Sequence, residues 1–242
     1  MNNSGRRMEV QVAAAKISNY ATRESGDTLE MIERPHGGLS FVLVDGQRSG
    51  RSAKTISNVV ARKAIQLLAE GVRDGAAARA AHDYLYTYRG GKVSATLNIL
   101  SVDAYTKTFV ISRNNEAPVI VYTAQNGLFL LDEPSQRVGF YRNTKPVITE
   151  LPIEVGTIIV VFTDGLRHAG SWSGKQSYNP YEAMERILAA GIFSPSEIAN
   201  NLLRQAVAMD DGRPRDDISV LVVSVLPRQE DEVRRLEVRL PL

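Results

Sequence analysis

The chain has 242 residues, and its 29 lysines and arginines against 27 aspartates and glutamates leave a net charge of +2. A balance this close to neutral gives no electrostatic case for nucleic-acid binding. The absence of cysteine excludes a disulfide framework, a thiolate nucleophile and a thiolate metal site. The longest wholly apolar stretch, 158–162, is far shorter than the roughly 20 residues of a membrane-spanning helix, and the polar start lacks the apolar region of a signal peptide. We expect a cytoplasmic protein, neither inserted in a membrane nor exported, and composition leaves its oligomeric state open.

Strand signals open the chain and helix signals follow. A β-branched run covers 9–20, and a hairpin with a turn rich in proline and glycine is predicted over 28–45. Apolar residues at helical spacing then predict a long amphipathic helix over 53–71. An alanine-rich helix is predicted over 74–88 and ends at a pair of glycines.

The second half of the chain returns to strands before two more helices. Alternating residues and an Asn-Gly hairpin signal predict an antiparallel meander through 93–131. A helix is predicted over 180–190, and a capping box with proline at the first helical position opens another at 194–197. The final strand is predicted over 217–226.

This order of elements predicts an α+β fold. Two packed, mainly antiparallel sheets would be covered by helices on their outer faces, which gives a four-layer α-β-β-α sandwich. The sequence has no internal repeat and no long linker, so we predict one domain over 1–226. The charged segment 227–242 is interpreted as a solvated tail or an edge strand.

Aspartates stand where three apolar runs begin or end. Asp45 and Asp164 each follow an apolar run and precede a glycine, whereas Asp216 and Asp217 precede one. An Asp-Gly pair is also an ordinary turn dipeptide, so the inference depends on all three sites together. Two unit charges about 4 Å apart repel by roughly 4 kcal/mol at an effective dielectric near 20, so a cluster of carboxylates needs cations. Oxygen ligands select hard ions such as magnesium or manganese.

The order of these motifs resembles that of a known enzyme family. DGQRSG, a helix containing AKTIS, RNNEAPVIV, TDG and RDDIS follow one another as in the metal-dependent PPM protein phosphatases, and most closely as in their SpoIIE-like bacterial branch. The resemblance spans roughly 10–225. It implies the same four-layer fold and a cofactor of two Mn²⁺ or Mg²⁺ ions, with a third as a further option.

The resemblance also implies roles for individual residues. Asp45 would bridge the two ions, the Gly46 carbonyl would be a further ligand, and Asp164 and Asp216 would complete the principal set. Asp27 matches an aspartate that lies near the second ion through water in relatives. Two divalent cations outweigh three carboxylates, so such a centre would favour a phosphate ester dianion and activate a water molecule to attack it.

Some positions depart from the family pattern. Gln47 stands where many relatives carry a histidine that protonates the leaving group, which leaves water at the metal, His36 or His168 as alternative acids. Arg23 lies near the place of a phosphate-binding arginine in relatives and is a candidate for that role, with a solvated surface position as the alternative. Asp217 is expected to hydrogen bond or to cap its strand rather than to bind metal.

Two loops near the expected site are of interest. Asn114-Asn115 replaces a glycine of the SpoIIE-like pattern, and asparagine tolerates the positive φ that such a turn uses. The segment containing Trp172 is interpreted either as a flap beside the site or as an ordinary surface loop.

The expected activity is that of a metal-dependent serine/threonine protein phosphatase. Its substrate would be a phosphorylated regulatory protein, in bacterial partner-switching or stress signalling. A catalytically weak domain of the same fold that binds a protein partner is the first alternative. A phosphohydrolase acting on small molecules is the second.

Overall fold

The computed structural model describes residues 8–171, 176–228 and 232–241. Within those ranges the chain forms ten strands and five helices: β1 (Met8–Ile17), β2 (Asp27–Glu33), β3 (Gly38–Asp45), α1 (Gly50–Ala69), α2 (Asp74–Arg89), β4 (Leu97–Asp103), β5 (Thr108–Asn114), β6 (Val119–Thr123), β7 (Gly127–Leu131), β8 (Val147–Pro152), β9 (Ile158–Phe162), α3 (Gly165–His168), α4 (Pro180–Ala189), α5 (Pro195–Met209) and β10 (Ile218–Pro227).

The strands form two five-stranded sheets. The first sheet has the order β2-β3-β4-β5-β8 and the second has the order β1-β10-β9-β6-β7. Every paired strand runs antiparallel to its neighbour. Helices α1 and α2 pack on the first sheet, and α4 and α5 pack on the second. The predicted four-layer sandwich is therefore confirmed.

Side chains alternate between the two faces of each strand, and this alternation divides the core into three apolar layers. In β3, Val42 and Val44 contact the helices, whereas Phe41 and Leu43 face the second sheet. Successive side chains of a strand point to opposite faces, so a strand covered on both faces has a continuous apolar run. This explains why the runs that precede Asp45 and Asp164 are wholly apolar.

The predicted helix starts are confirmed in detail. Asn179 accepts a hydrogen bond from the backbone N–H of Tyr181 at 3.1 Å, and Ser194 accepts one from Glu197 at 3.4 Å. A proline follows each of these caps, where the missing N–H would have no partner in the helix. Both helices therefore begin at the predicted residues.

The predicted meander differs from the structure. Strands β4 and β5 lie in the first sheet, but β6 and β7 lie in the second, so the chain crosses between sheets in the middle of the predicted unit. The strand also begins later than predicted, at Leu97, and Ala95 forms only an isolated bridge. Strand β8 and the short helix α3 were not predicted. The Asn126-Gly127 hairpin is confirmed, because Thr123 pairs with Gly127.

The C-terminal segment leaves the second sheet after Pro227. Its described residues, 232–241, form no strand, and Arg234 contacts Glu33 of the first sheet through an ion pair of 2.8 Å. None of the helices in the described ranges combines the length and apolarity that crossing a bilayer would require.

Candidate metal centre

Four aspartates meet at one edge of the sandwich. Asp27 opens β2 and lies directly opposite Asp45 at the end of β3, in the first sheet. Asp164 follows β9 and Asp216 precedes β10, and these two strands are neighbours in the second sheet. A cavity of about 300 Å³ at this edge is lined by Asp45, Gly46, Asp164 and Asp216, among others. The structure thus brings together strand ends that are distant in the sequence.

The glycine of each Asp-Gly pair is required by close packing. A Cβ at Gly46 would lie 2.1 Å from the carbonyl oxygen of Ala53 in α1, and a Cβ at Gly165 would lie 2.2 Å from that of Asp217. Neither glycine has a positive φ, so their small size rather than their backbone conformation is what the fold uses. These glycines let α1 and β10 approach the site closely enough to position the aspartates.

Asp27 connects the two sheets below the cavity. Its Oδ2 accepts hydrogen bonds from Thr163 Oγ1 at 3.0 Å, directly after β9, and from Ser219 Oγ at 2.6 Å, in β10 of the second sheet. Its Oδ1 is buried and has no hydrogen-bond partner within the described residues. Burial raises the pKa of Asp27 to about 6. A buried carboxylate oxygen without a donor is costly unless a cation or water molecule contacts it.

Two lysines approach Asp27 from its backbone side. The ammonium groups of Lys16 and Lys54 each donate to the Asp27 carbonyl oxygen at 2.7 Å. Burial, and next the charge of Lys54, lower the pKa of Lys16. These cations lie behind the cluster and partly offset its negative charge.

The electrostatics of the cavity favour a cation. Burial, followed by the charges of Asp27, Asp164 and Asp216, raises the pKa of Asp45 to about 9, and Arg137 opposes this shift. Burial and the charge of Asp164 raise the pKa of Asp216 to about 6. A bound divalent ion would strongly stabilise the ionised form of these buried carboxylates, because it offsets the repulsion between neighbouring negative charges.

The donor set fits a hard metal ion. Asp164, His168 and Asp216 each offer one ligand atom, and these atoms all lie within 4.8 Å of one another. Asp45 and the unpaired oxygen of Asp27 add carboxylate oxygens on the side of the first sheet. Oxygen-rich groups of this kind suit magnesium or manganese.

Two further aspartates hold the site loops in place. Asp217 accepts hydrogen bonds from the backbone N–H groups of Asn19 at 3.0 Å and Gly26 at 2.8 Å, which agrees with its predicted hydrogen-bonding role. Asp210 was not predicted. It accepts from Gly170 N at 2.8 Å and from the N–H of residue 215 at 3.2 Å, so it joins the loop after Asp164 to the loop before Asp216.

Other predicted residues lie away from the cavity or have a structural role. Arg23 is exposed and does not line the cavity. His36 lies at the β2–β3 turn, roughly 20 Å along the strands from the Asp27–Asp45 pair at about 3.3 Å per residue, which excludes it as an acid here. Gln47 lines the cavity, and its Oε1 accepts a hydrogen bond from Ser94 N at 3.1 Å.

The predicted turn at Asn114-Asn115 is wrong in its backbone conformation. Neither residue has a positive φ, and both are buried. Asn115 Oδ1 instead accepts from Ala117 N at 2.9 Å, so the side chain rather than a left-handed backbone makes the turn. Trp172 lies outside the described residues.

Arg137 is a charged residue of the site that sequence reasoning missed. It lies between β7 and β8 and lines the cavity, and its Nη2 donates to Asp164 Oδ2 at 3.2 Å. Its only local signal is an arginine in a polar stretch, a pattern that is common on solvated surfaces. A long-range bridge between Val138 and Ala95 brings it to the site, and no sequence pattern predicts this pairing.

Comparisons with known proteins agree with this architecture. The phosphatase domain of the cell fate determinant SpoIIE from Bacillus subtilis, solved with a fragment of its regulatory domain, superposes with a TM-score of 0.77 at 18% identity, over 94% of this chain and 66% of that one. A second similar structure is the catalytic domain of the serine/threonine phosphatase PstP, solved in complex with two manganese ions. It superposes with a TM-score of 0.67 at 15% identity, over 91% of this chain and all of that one. At such identities these likenesses show the fold alone.

Sequence comparison identifies the family. Stage II sporulation protein E of Bacillus subtilis (strain 168) is 18% identical over 218 residues, which are 89% of this chain but 26% of that protein. The chain therefore spans about a quarter of the length of the curated relative it matches. The model of the family described as Stage II sporulation protein E (SpoIIE) matches residues 35–226. The chain belongs to the SpoIIE family and has the PPM phosphatase fold, as its motifs predicted.

Proposed function

We propose that this chain is a metal-dependent protein serine/threonine phosphatase that hydrolyses a phosphoserine or phosphothreonine monoester. The observation that carries the proposal is the convergence of Asp45, Asp164 and Asp216 from two sheets on one open cavity, with Asp27 buried directly opposite Asp45. A binding module has no use for four mutually repelling carboxylates, whereas a hydrolase that binds divalent ions does.

The residues of the cluster would hold two ions, Mn²⁺ or Mg²⁺, with Asp45 between the two sheets, Asp164 and Asp216 from the second sheet, and the Gly46 carbonyl as a further donor. Asp27 would act at longer range through its unpaired Oδ1, because this residue is buried and does not line the cavity. When bound, such ions activate water and stabilise negative charge on a phosphoryl group. The two manganese ions of PstP support this choice of metal.

The chain's own groups would orient the substrate rather than attack it. The chain has no cysteine, and the cavity is lined by carboxylates, arginines, amides and the hydroxyl-bearing Ser49. In the hydrolysis a bond forms between a water oxygen and phosphorus, the ester P–O bond breaks, and the departing hydroxyl group gains a proton. Gln47 cannot supply that proton, since a carboxamide is not an acid, and its oxygen already accepts a hydrogen bond. His168 would supply the proton instead of binding an ion, because one of its ring nitrogens lies within 4.8 Å of a carboxylate oxygen of Asp164 and of Asp216.

A phosphorylated regulatory protein is the proposed substrate, within bacterial partner-switching or stress signalling. Membership of the SpoIIE family and the resemblance of DGQRSG and RNNEAPVIV to its bacterial members support this part of the proposal.

The experiment measures inorganic phosphate released from a panel of phosphoserine proteins by chelator-treated protein, before and after addition of manganese. We expect release only with the metal, and loss of release in Asp164→Asn and Asp216→Asn. Asp83→Asn is the matched control, because this aspartate is exposed on α2 and does not line the cavity. Tight binding of a phosphoprotein without release would favour the binding module. Release from small esters alone would favour the small-molecule phosphohydrolase.

A further inference from the structure

Arg137 extends into the cavity beside the carboxylates. Its Nη2 donates to Asp164 Oδ2 at 3.2 Å, and its Nε lies 3.7 Å from Glu116 Oε1. A guanidinium group has five N–H donors, and these two contacts leave several of them for a further partner. The side chain remains 28% exposed, so that partner can enter from solvent.

The backbone on both sides of Arg137 is held in place. Gln136 O accepts a hydrogen bond of 2.9 Å from the buried Asn114, and Val138 exchanges two backbone hydrogen bonds with Ala95 at 3.1 and 2.9 Å. Ala95 is in turn bridged to the glycine of the first Asp-Gly pair. The guanidinium is thus attached to the same framework as the acidic cluster, which lowers the entropy that binding a ligand would cost.

The other arginines near the site are less suited to bind a ligand. Arg48 and Arg215 also line the cavity but are exposed, and Arg215 stacks over the ring of Tyr20 at 5.5 Å. Arg23, the arginine that the sequence resemblance suggested, is exposed and does not line the cavity. Among the arginines lining the described cavity, Arg137 alone is not exposed.

The charges of the cavity indicate what Arg137 binds. Divalent ions bound by the aspartates would compete with the arginine for Asp164 and would leave a net positive cavity, which attracts an anion. Arginine presents a planar fork that matches two oxygens of a phosphate group, with charge-assisted hydrogen bonds. We propose that Arg137 binds the phosphate group of the substrate and is the counter-ion of Asp164 when phosphate and metal are absent. This assignment rests on the proposed function, because it takes phosphate as the reacting group.

The test is isothermal titration of inorganic phosphate into manganese-loaded protein. We expect Arg137→Gln to weaken phosphate binding at least about tenfold, which corresponds to the loss of a hydrogen bond to a charged group. The phosphate affinity of Arg137→Lys should lie between those of Arg137→Gln and the wild type, because lysine keeps the positive charge but lacks the planar fork of donors. Arg79→Gln is the matched control, an exposed arginine on α2 outside the cavity. A separate manganese titration should show unchanged or tighter metal binding in Arg137→Gln, because a competing cation has been removed.

Several results would overturn the assignment. These are equal phosphate affinity in Arg137→Gln and the wild type, a loss that appears in Arg23→Gln instead, loss of manganese binding in Arg137→Gln, or no phosphate binding by the wild type. The proposed function fails separately. Phosphate binding that depends on Arg137, without release from any phosphoprotein, contradicts the activity and supports the assignment. Phosphate release from a phosphoprotein that is unaffected by Arg137→Gln supports the activity and contradicts the assignment of Arg137.

Discussion

Asp45 lies among three other carboxylates, and this position makes it the residue on which metal binding should depend most. In the metal-free protein its pKa is raised to about 9, since burial and its neighbours oppose its charge. Asn would keep the shape of the side chain and remove both the repulsion and the proposed metal ligand. We therefore expect Asp45→Asn to stabilise the metal-free protein and to destabilise the metal-loaded protein relative to the wild type.

We predict that Asp45→Asn abolishes stabilisation by metal. Ions that bind only the folded protein should stabilise the wild type by about 2.7 kcal/mol at a concentration of 100 times the Kd. The measurement is Tm of chelator-treated protein with increasing manganese, and Asp83→Asn should behave like the wild type. Activity should also fall further in Asp45→Asn than in Asp27→Asn. An equal shift of Tm in Asp45→Asn and the wild type would show that Asp45 is not a ligand.

A second prediction at this scale concerns pH. In the metal-free protein, unfolded Asp45 loses its proton near 3.8, whereas folded Asp45 keeps it up to about 9. Across that window the folded state binds more protons, so stability falls as pH rises. The raised pKa values of Asp27 and Asp216 also lower the stability of the metal-free protein as pH rises, up to about pH 6.

Tm measured in chelator from pH 5 to 8 should therefore decrease more steeply in the wild type than in Asp45→Asn. Because the comparison between variants removes the contribution of other groups, parallel slopes would contradict the raised pKa of Asp45.

At the scale of elements, the start of α1 is fitted tightly against the ends of β2 and β3. A Cβ at Gly26 would lie 2.6 Å from the side chain of Ala53, whereas a Cβ at Gly46 would lie 2.1 Å from the backbone oxygen of Ala53. The first conflict involves a methyl group that substitution can remove. The second involves the helix backbone, which no substitution at 53 can remove.

We predict that both Gly26→Ala and Gly46→Ala destabilise the fold, by about 1–3 kcal/mol or more, as overpacking does. Adding Ala53→Gly should restore part of the loss in Gly26→Ala and none in Gly46→Ala. Chemical denaturation of the single and double variants measures this. Equal rescue of both would mean that α1 shifts freely, and the close packing would then not position the aspartates.

Local patterns in the sequence predict most elements and the acidic cluster, but not the contacts between sheets. The strand-end aspartates are found because a buried strand is an apolar run and its end is visible. Strand β8 was missed because its sequence does not follow its burial: half-buried and exposed positions alternate along Val147–Pro152, but the apolar Ile148 occupies an exposed one. The crossing between β5 and β6 and the approach of Arg137 depend on pairings between distant segments. Burial of Asn114 is likewise set by the packed sheets, whereas the family pattern at this position predicted only a turn with a positive φ.

At the scale of the whole molecule, the site exists only where the two sheets meet. Asp27 and Asp45 belong to the first sheet, and Asp164 and Asp216 flank neighbouring strands of the second. Hydroxyl groups of the second sheet bind Asp27 across the interface. The proposed metal binding would therefore be coupled to the packing of one sheet on the other, and bound ions should stabilise the sandwich as a unit.

The shape of this edge predicts a preference for protein substrates. The cavity of about 300 Å³ is lined by polar and charged residues, and its described lining includes no aromatic ring that would hold a small organic ester. Asn114 is buried and holds the loop of Arg137 through Gln136 O. Exposed residues near the cavity, such as Glu116, can contact a protein substrate. Binding energy from parts of a substrate remote from the reacting phosphate raises transition-state stabilisation, and small esters forgo it.

We predict that kcat/KM for a phosphoserine regulatory protein exceeds that for an aryl phosphate by at least about 100-fold, equivalent to roughly 2.7 kcal/mol. Both are measured under saturating manganese with the same preparation. The advantage should fall in Glu116→Gln, because this exposed residue lies outside the cavity lining, can touch a protein surface and has less to contact on a small ester. Comparable efficiencies for folded phosphoproteins and small esters would show that the cavity itself, without the surrounding surface, determines what the chain hydrolyses.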